Sequence, residues 1–165
     1  MRLRLLIYVL AGIAVVAAAV AWVFFLQRGA HMEIQGAILK VRTVSTDENS
    51  SVALIDFRCT NAADYPWVVR SVEVSLIDAQ GDLLNGSTVS DADATRLFEY
   101  FPLIGQKFND SLVARTRIPA RHTIDRMIAA RFETSEKALR ARRSLRVRVE
   151  DVDGAASEIV EGDRQ

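Results

Sequence analysis

Residues 145–150 read Leu145-Arg146-Val147-Arg148-Val149-Glu150. Apolar and charged side chains alternate with a period of two, the pattern of a strand with one face on a core and one in water. Asp151-Val152-Asp153-Gly154 follows with hairpin-turn chemistry, and Ala156 to Val160 can return as its antiparallel partner. Working outward, the same period recurs in Ala53, Ile55, Phe57 and Cys59, interleaved with Leu54, Asp56 and Arg58. It recurs again in Val72, Val74 and Leu76. Trp67 and Val69 carry the opposite parity, which predicts a bulge near Arg70 and Ser71. Asp78 to Asp82, with Gly81, reads as a turn. Leu112, Ala114, Thr116 and Ile118 form a further alternation ended by Pro119. Ile124 to Phe132 forms another, and Ile34 to Val44 supplies the first strand.

Some seven strands separated by turns predict a mainly β domain, an antiparallel immunoglobulin-like sandwich with one or two short helices. Asp91 is placed to cap a helix running through Tyr100 and stopped by Pro102. Ser135 to Arg142 is the second helix, with Glu136 and Arg140 at the favourable i,i+4 spacing.

The N-terminus has a different character. Leu5 to Leu26 is an uncharged run of 22 residues. As a helix it would reach ~33 Å, enough for a bilayer core of ~30 Å. Arg2 and Arg4 precede it and Trp22 sits near its outer end, so the N-terminus is expected in the cytoplasm and the β domain outside it. A cleaved signal peptide is the competing reading, with Ala17, Ala19 and Ala21 as the small residues before a cut. The apolar run Trp22 to Leu26 beyond that point favours an uncleaved anchor. Ala11, Ala14, Ala18 and Ala21 recur at helical spacing, a face on which two such helices could associate. The expected organisation is a stub at 1–4, a span at 5–26, a linker at 27–32, a β-sandwich at 33–161 and a tail at 162–165. Arginine far outnumbers lysine and alanine is abundant, a composition of GC-rich bacterial genomes. The expected location is therefore a bacterial inner membrane, single-pass, with the C-terminal domain periplasmic or otherwise extracytoplasmic.

Taken together, the strand ending in Asn61, then Pro66, Val69, Val72, Val74, Leu76, Asp78 and Gly81, and later Ile118-Pro119-Ala120-Arg121 and Leu145 to Val149, form a familiar pattern. It resembles small bacterial extracytoplasmic domains with an immunoglobulin-like sandwich, and is similar to FxLYD-type domains and to the water-stress domain of late-embryogenesis-abundant proteins. The likeness spans Ala53 to Gly154. The Asn-Pro-Asn turn of the latter group is replaced by Asn61-Ala62-Ala63-Asp64. The resemblance implies a binding or structural module without catalytic residues.

Composition argues the same way. The chain has 21 basic and 21 acidic residues, without the basic excess of a nucleic-acid binder. Its single cysteine, Cys59, excludes an intramolecular disulfide and falls in a core-facing position. Two distant histidines, His31 and His122, do not make a zinc site, and no nucleophile elbow is present. Asp151-x-Asp153-Gly154 lacks the further ligands of a calcium loop and reads as a turn. Asp91 and Asp93 suit a helix N-terminus. Arg140, Arg142, Arg143, Arg146 and Arg148 read as a solvated face balanced by nearby acids. No catalytic, cofactor or metal site is expected.

One segment stands apart. Leu97, Phe98, Tyr100, Phe101, Leu103, Ile104 and Phe108 place three of the five phenylalanines of the β domain in a connection. If exposed, they form a site for a protein partner of the cell envelope; if buried, they fold over an open end of the sandwich. The function expected is a non-enzymatic, membrane-anchored envelope protein that binds or supports another protein. The alternative is a lipid or small-ligand binding module at the membrane surface.

Overall fold

The computed structural model describes residues 12–18, 20–22 and 34–162. Residues 12–18 and 20–22 are helical, with Ile13, Val15, Val16, Val20 and Trp22 exposed. Among the described residues no helix is long and apolar enough to cross a membrane. Much of the expected span Leu5 to Leu26, the stub before it, the linker 27–32, His31 and the last three residues lie outside the described residues.

The β domain consists of β1 (Ile34–Asp47), β2 (Ser50–Asn61), β3 (Trp67–Ile77), β4 (Leu83–Thr88), β5 (Arg117–Ile118), β6 (Thr123–Phe132), β7 (Ser144–Asp151) and β8 (Ala156–Val160). Helix α1 (Asp91–Tyr100) and a 3-10 turn (Pro102–Ile104) follow β4, and α2 (Glu136–Arg140) follows β6. The strands form one antiparallel sheet in the order β1-β2-β6-β4-β3-β7-β8, with β5 attached to β3. The two layers anticipated from the pattern are therefore one curled sheet. Strand β4 joins its halves: Leu83–Gly86 pair with β3, then Ser87 and Thr88 pair with β6.

The curl wraps a single main core. Ile55 and Phe57 of β2, Ile128 and Phe132 of β6, Val74 and Leu76 of β3, Leu145 and Val147 of β7 and Ile159 of β8 meet in it. Burying each such side chain contributes roughly 1.5–3 kcal/mol. At the open seam β8 comes against β1. The Ile34 N–H donates to Ser157 Oγ at 2.8 Å. Gly36 makes this approach feasible, since a Cβ there would stand 2.5 Å from Ile159 Cδ1 and 2.6 Å from the Arg58 carbonyl oxygen.

The predicted bulge is present as a register shift between Val69 and Ser71. The turn at Asp78 closes through its own carboxylate, whose Oδ1 accepts the N–H groups of Gln80, Gly81 and Asp82. That bonding, with the Asp82 amide foremost, holds its pKa below the usual value. Three further expectations need correction. β4 was not anticipated as a strand. The alternation from Leu112 to Ile118 is mostly irregular: only Arg117 and Ile118 are strand, and Leu112 is a buried plug whose N–H bonds the Met127 carbonyl. Helix α1 is capped by Ser90 rather than Asp91, the Ser90 hydroxyl accepting from the Asp93 N–H at 3.1 Å.

Gly36→Ala is expected to destabilise the domain by ~1–3 kcal/mol, because one of the two obstructing groups is backbone and cannot rotate away. A shift in denaturant midpoint measures it; an unchanged midpoint would mean that the β1–β8 seam is looser than described.

Candidate functional site

Strand β2 explains why the 97–108 segment lies where it does. The sequence pattern predicts one buried face, Ala53, Ile55, Phe57 and Cys59. In the structure the run Ser50 to Phe57 is buried throughout. The second face of β2 therefore needs a cover, and α1 with the 3-10 turn provides it. Ala94, Leu97, Phe98 and Phe101 fall at i, i+3, i+4 and i+7, one stripe of a helix. With Ile104 they pack over Val44, Val52, Leu54, Met127 and Ala129.

A polar hub sits under this cover. Arg42 of β1 and Asp56 of β2 share the outer face and are 8 % and 5 % exposed. Arg42 Nη2 donates to Asp56 Oδ2 at 2.7 Å. Arg42 Nη1 donates to the carbonyls of Ile104 (3.1 Å) and Gln106 (2.8 Å). Asn109 Nδ2 donates to the other Asp56 oxygen at 2.9 Å. The guanidinium lies 4.9 Å from the Phe98 ring centre and 5.9 Å from that of Phe108, within cation–π range. A second tie comes from Lys107, which reaches back to Asp91. Lys107, followed by Ser111, holds the Asp91 carboxyl below its usual pKa of 3.8.

The hub divides the predicted residues into two sets. Leu97, Phe98, Phe101 and Ile104 are half-buried clamps. Tyr100 (78 % exposed), Leu103 (fully exposed) and Phe108 (71 % exposed) stand outward. The segment is thus both core and surface. Arg42, Asp56 and Asn109 were not singled out from the sequence. The available signal was an aspartate in the middle of the otherwise apolar run Val52 to Phe57.

Elsewhere the candidate groups have structural partners. Cys59 is buried, and desolvation pushes its thiol up to about 12. His122 is exposed and its Nδ1 donates to the Ala120 carbonyl at 3.0 Å. The Asp151 carboxylate is buried and accepts the Val68 N–H at 2.7 Å, tying the hairpin to β3. Arg140 pairs with Glu136, Arg142 with Glu161, and Arg146 and Arg148 with Glu158. Arg143 caps the Ala79 carbonyl. Among the described residues no three His, Cys, Asp or Glu side chains lie together as a metal site would need.

Two kinds of groove mark the surface. A polar one of about 430 Å³ lies over β3, β4, β7 and β8, lined by Glu73, Asn85, Arg146 and Glu158 among others. An apolar one of about 420 Å³ opens where β3 and β6 diverge beyond β4, lined by Val72, Val89, Leu112, Val113, Ala114 and Ile128.

Removing one member of the buried pair leaves an unmatched charge. Asp56→Ala is expected to cost ~3–5 kcal/mol, whereas Arg42→Met with Asp56→Leu should recover most of it. Chemical denaturation of the three chains checks this; equal losses in the single and double variants would mean that the pair itself, and not its balance, matters. The Asp91–Lys107 contact has the opposite reach. Its folded pKa lies below the unfolded value, so its contribution is present above pH 3.8 and is lost as pH falls through the lower, folded value. Both ends are partly in solvent, so Lys107→Ala should cost only ~0–1 kcal/mol at neutral pH. The difference from wild type should disappear in acid, as followed by thermal melts across pH.

No family model matches the chain, and no curated protein matches it. The similarity to FxLYD-type and water-stress domains therefore stays one of strand pattern. Solved structures that align with it include two extracytoplasmic-type β domains. A candidate lipoprotein of Bacillus subtilis aligns over 82% of this chain at 9% identity and a TM-score of 0.46. This chain spans 38% of that protein's length. The archaellum periplasmic stator protein FlaG of Sulfolobus acidocaldarius aligns over 77% of this chain and 98% of its own, at 11% identity and a TM-score of 0.35. Likeness at this level carries no site or activity across.

Proposed function

We propose that this chain is a non-enzymatic, membrane-anchored envelope protein whose extracytoplasmic, immunoglobulin-like β domain binds a protein partner through the outward side of the 97–108 segment. The anchor is the apolar run Leu5 to Leu26, with the β domain beyond it. The observation that supports the reading most is the division of labour around Arg42. A buried ion pair and four apolar clamps hold the segment's backbone, and Tyr100, Leu103 and Phe108 are thereby presented to solvent. Large apolar side chains on a fixed frame lose little entropy on binding, and aromatic anchors carry much of the energy of protein interfaces.

The position of the clamps changes which variants are informative. Phe98 and Phe101 are packed against the sheet, so serine at either tests stability rather than binding. Tyr100→Ser with Leu103→Ser removes exposed groups and should leave the melting temperature unchanged. Crosslinking of the full chain in its native membrane should then recover a stoichiometric partner with wild type and lose it with the double variant. Retention of that partner by the variant would sink the site.

A second reading, a lipid or small apolar ligand, draws on the groove at Val72, Val113 and Ile128, whose size suits a small ligand. Val113→Arg would block it. If that change displaces a bound lipid found by mass spectrometry of the purified chain, the ligand reading gains over the partner reading.

A further inference from the structure

At the end of the domain where β1 begins, three arginines crowd one small face. Ile34 pairs with Asn61, and the Asn61 N–H bonds the His122 carbonyl, which places the loops 62–66 and 119–122 at that end. Buried Asn61 ties them together, its Nδ2 donating to the carbonyls of Tyr65, Ile118 and Pro119. Arg117 pairs in register with Val68, opposite in parity to buried Trp67 and Val69, so both point outward. Arg70 follows on the same side of β3, and Arg115 binds the Val69 carbonyl through its N–H. Of these three, Arg70 has an acidic partner, Glu150, and Arg121 at the same end pairs with Asp64 at 2.8 Å. Arg115 and Arg117 are exposed and make no ion pair among the described residues. The nearby Asp151 carboxylate is committed to the Val68 N–H.

Like charges gathered on one face repel, and Arg115 adds a backbone cost. Its φ is +69°, and nearby Arg121 has φ +57°, where glycine or asparagine would fit with less strain. Beside the arginines, half-exposed Tyr65 and Val152 form the rim, the Val152 N–H bonding the Val68 carbonyl. Arginines with an amphipathic ring and an aliphatic side chain are the composition of a surface that meets phospholipid headgroups.

We infer that the rim of Arg70, Arg115 and Arg117, with Tyr65 and Val152, rests on the phosphates of an anionic bilayer. The inference builds on the anchored reading above. Only eight peptide bonds separate Leu26 from Ile34, a reach of at most ~28 Å even fully extended. An anchor ending at Leu26 would therefore tether Ile34, beside which the rim lies, within ~28 Å of it. The rim would orient the domain and so set the direction in which the 97–108 segment faces.

The test uses the full chain reconstituted in vesicles of phosphatidylcholine alone or with phosphatidylglycerol. Cys59 is buried, so Ala62→Cys, exposed at the same end, can carry a polarity-sensitive dye selectively. The expected result is a blue shift that requires phosphatidylglycerol, is reversed by salt, and is lost in Arg115→Gln/Arg117→Gln but kept in Arg140→Gln. A shift independent of phosphatidylglycerol, or retained in the double variant, overturns the inference. Inorganic phosphate that abolishes the shift at matched ionic strength also overturns it, in favour of a free-phosphate site. Failure of the anchor is read separately: the chain would then wash off vesicles in alkaline carbonate. Phosphatidylglycerol-dependent sedimentation of that unanchored chain, lost in the double variant, would still uphold the rim, and its absence would sink it.

Discussion

A charged pair closed off from water, Arg42 with Asp56, decides how the second face of the sheet is used. Two strands that would otherwise present a half-polar surface instead carry a guanidinium and a carboxylate beneath a helical cover. Such a pair gains little over a hydrophobic replacement, because desolvation offsets most of the attraction. What it provides is direction. The guanidinium has donors left for the carbonyls of Ile104 and Gln106, and the carboxylate has an oxygen left for Asn109. The stretch after α1, which has no regular structure beyond one 3-10 turn, is thereby fixed at several backbone and side-chain points. Apolar packing alone would leave it free to slide.

This arrangement reconciles two demands on the 97–108 segment. β2 needs apolar material on its outer side, which Leu97, Phe98, Phe101 and Ile104 supply. Tyr100, Leu103 and Phe108 are not needed for that purpose, yet they are held in view. The other charged groups of the domain are mostly spent on its own architecture: Asp78 in a turn, Asp151 on β3, and the arginines from 140 to 148 on neighbouring acids or a carbonyl. The contrast makes Arg115 and Arg117, which make no ion pair among the described residues, and the outward apolar trio stand out.

Much of this was legible in the sequence where a strand has one wet face. The alternation at Leu145–Glu150, the parity switch at Arg70–Ser71 and the Asp151–Gly154 turn map onto β7, the bulge and the β7–β8 hairpin. Reading failed where a residue answered to a distant neighbour. β4 has no clear alternation of its own, and its Gly86 is there to admit the Phe132 ring, whose Cζ would stand 2.7 Å from any Cβ. The alternation around Ala114 was read as a strand, yet the chain turns through a left-handed residue at Arg115. Asp56 looked solvent-facing because its cover comes from residues some forty to fifty positions later. The helical stripe Ala94, Leu97, Phe98 and Phe101 was present in the sequence; its target, the back of β2, was not, because period-two alternation shows parity and not what lies on each side.

Hydrogen exchange on the full chain, wild type against Asp56→Asn, bears most directly on the claim that the buried pair fixes the segment. The account predicts slow exchange in wild type at Phe101, Ile104 and Leu112, whose N–H groups bond carbonyls within and beneath the cover. In Asp56→Asn the amides of the segment should exchange much faster, with β7 and β8 remaining protected. Fast exchange of the segment in wild type, or unchanged protection in the variant, would contradict it.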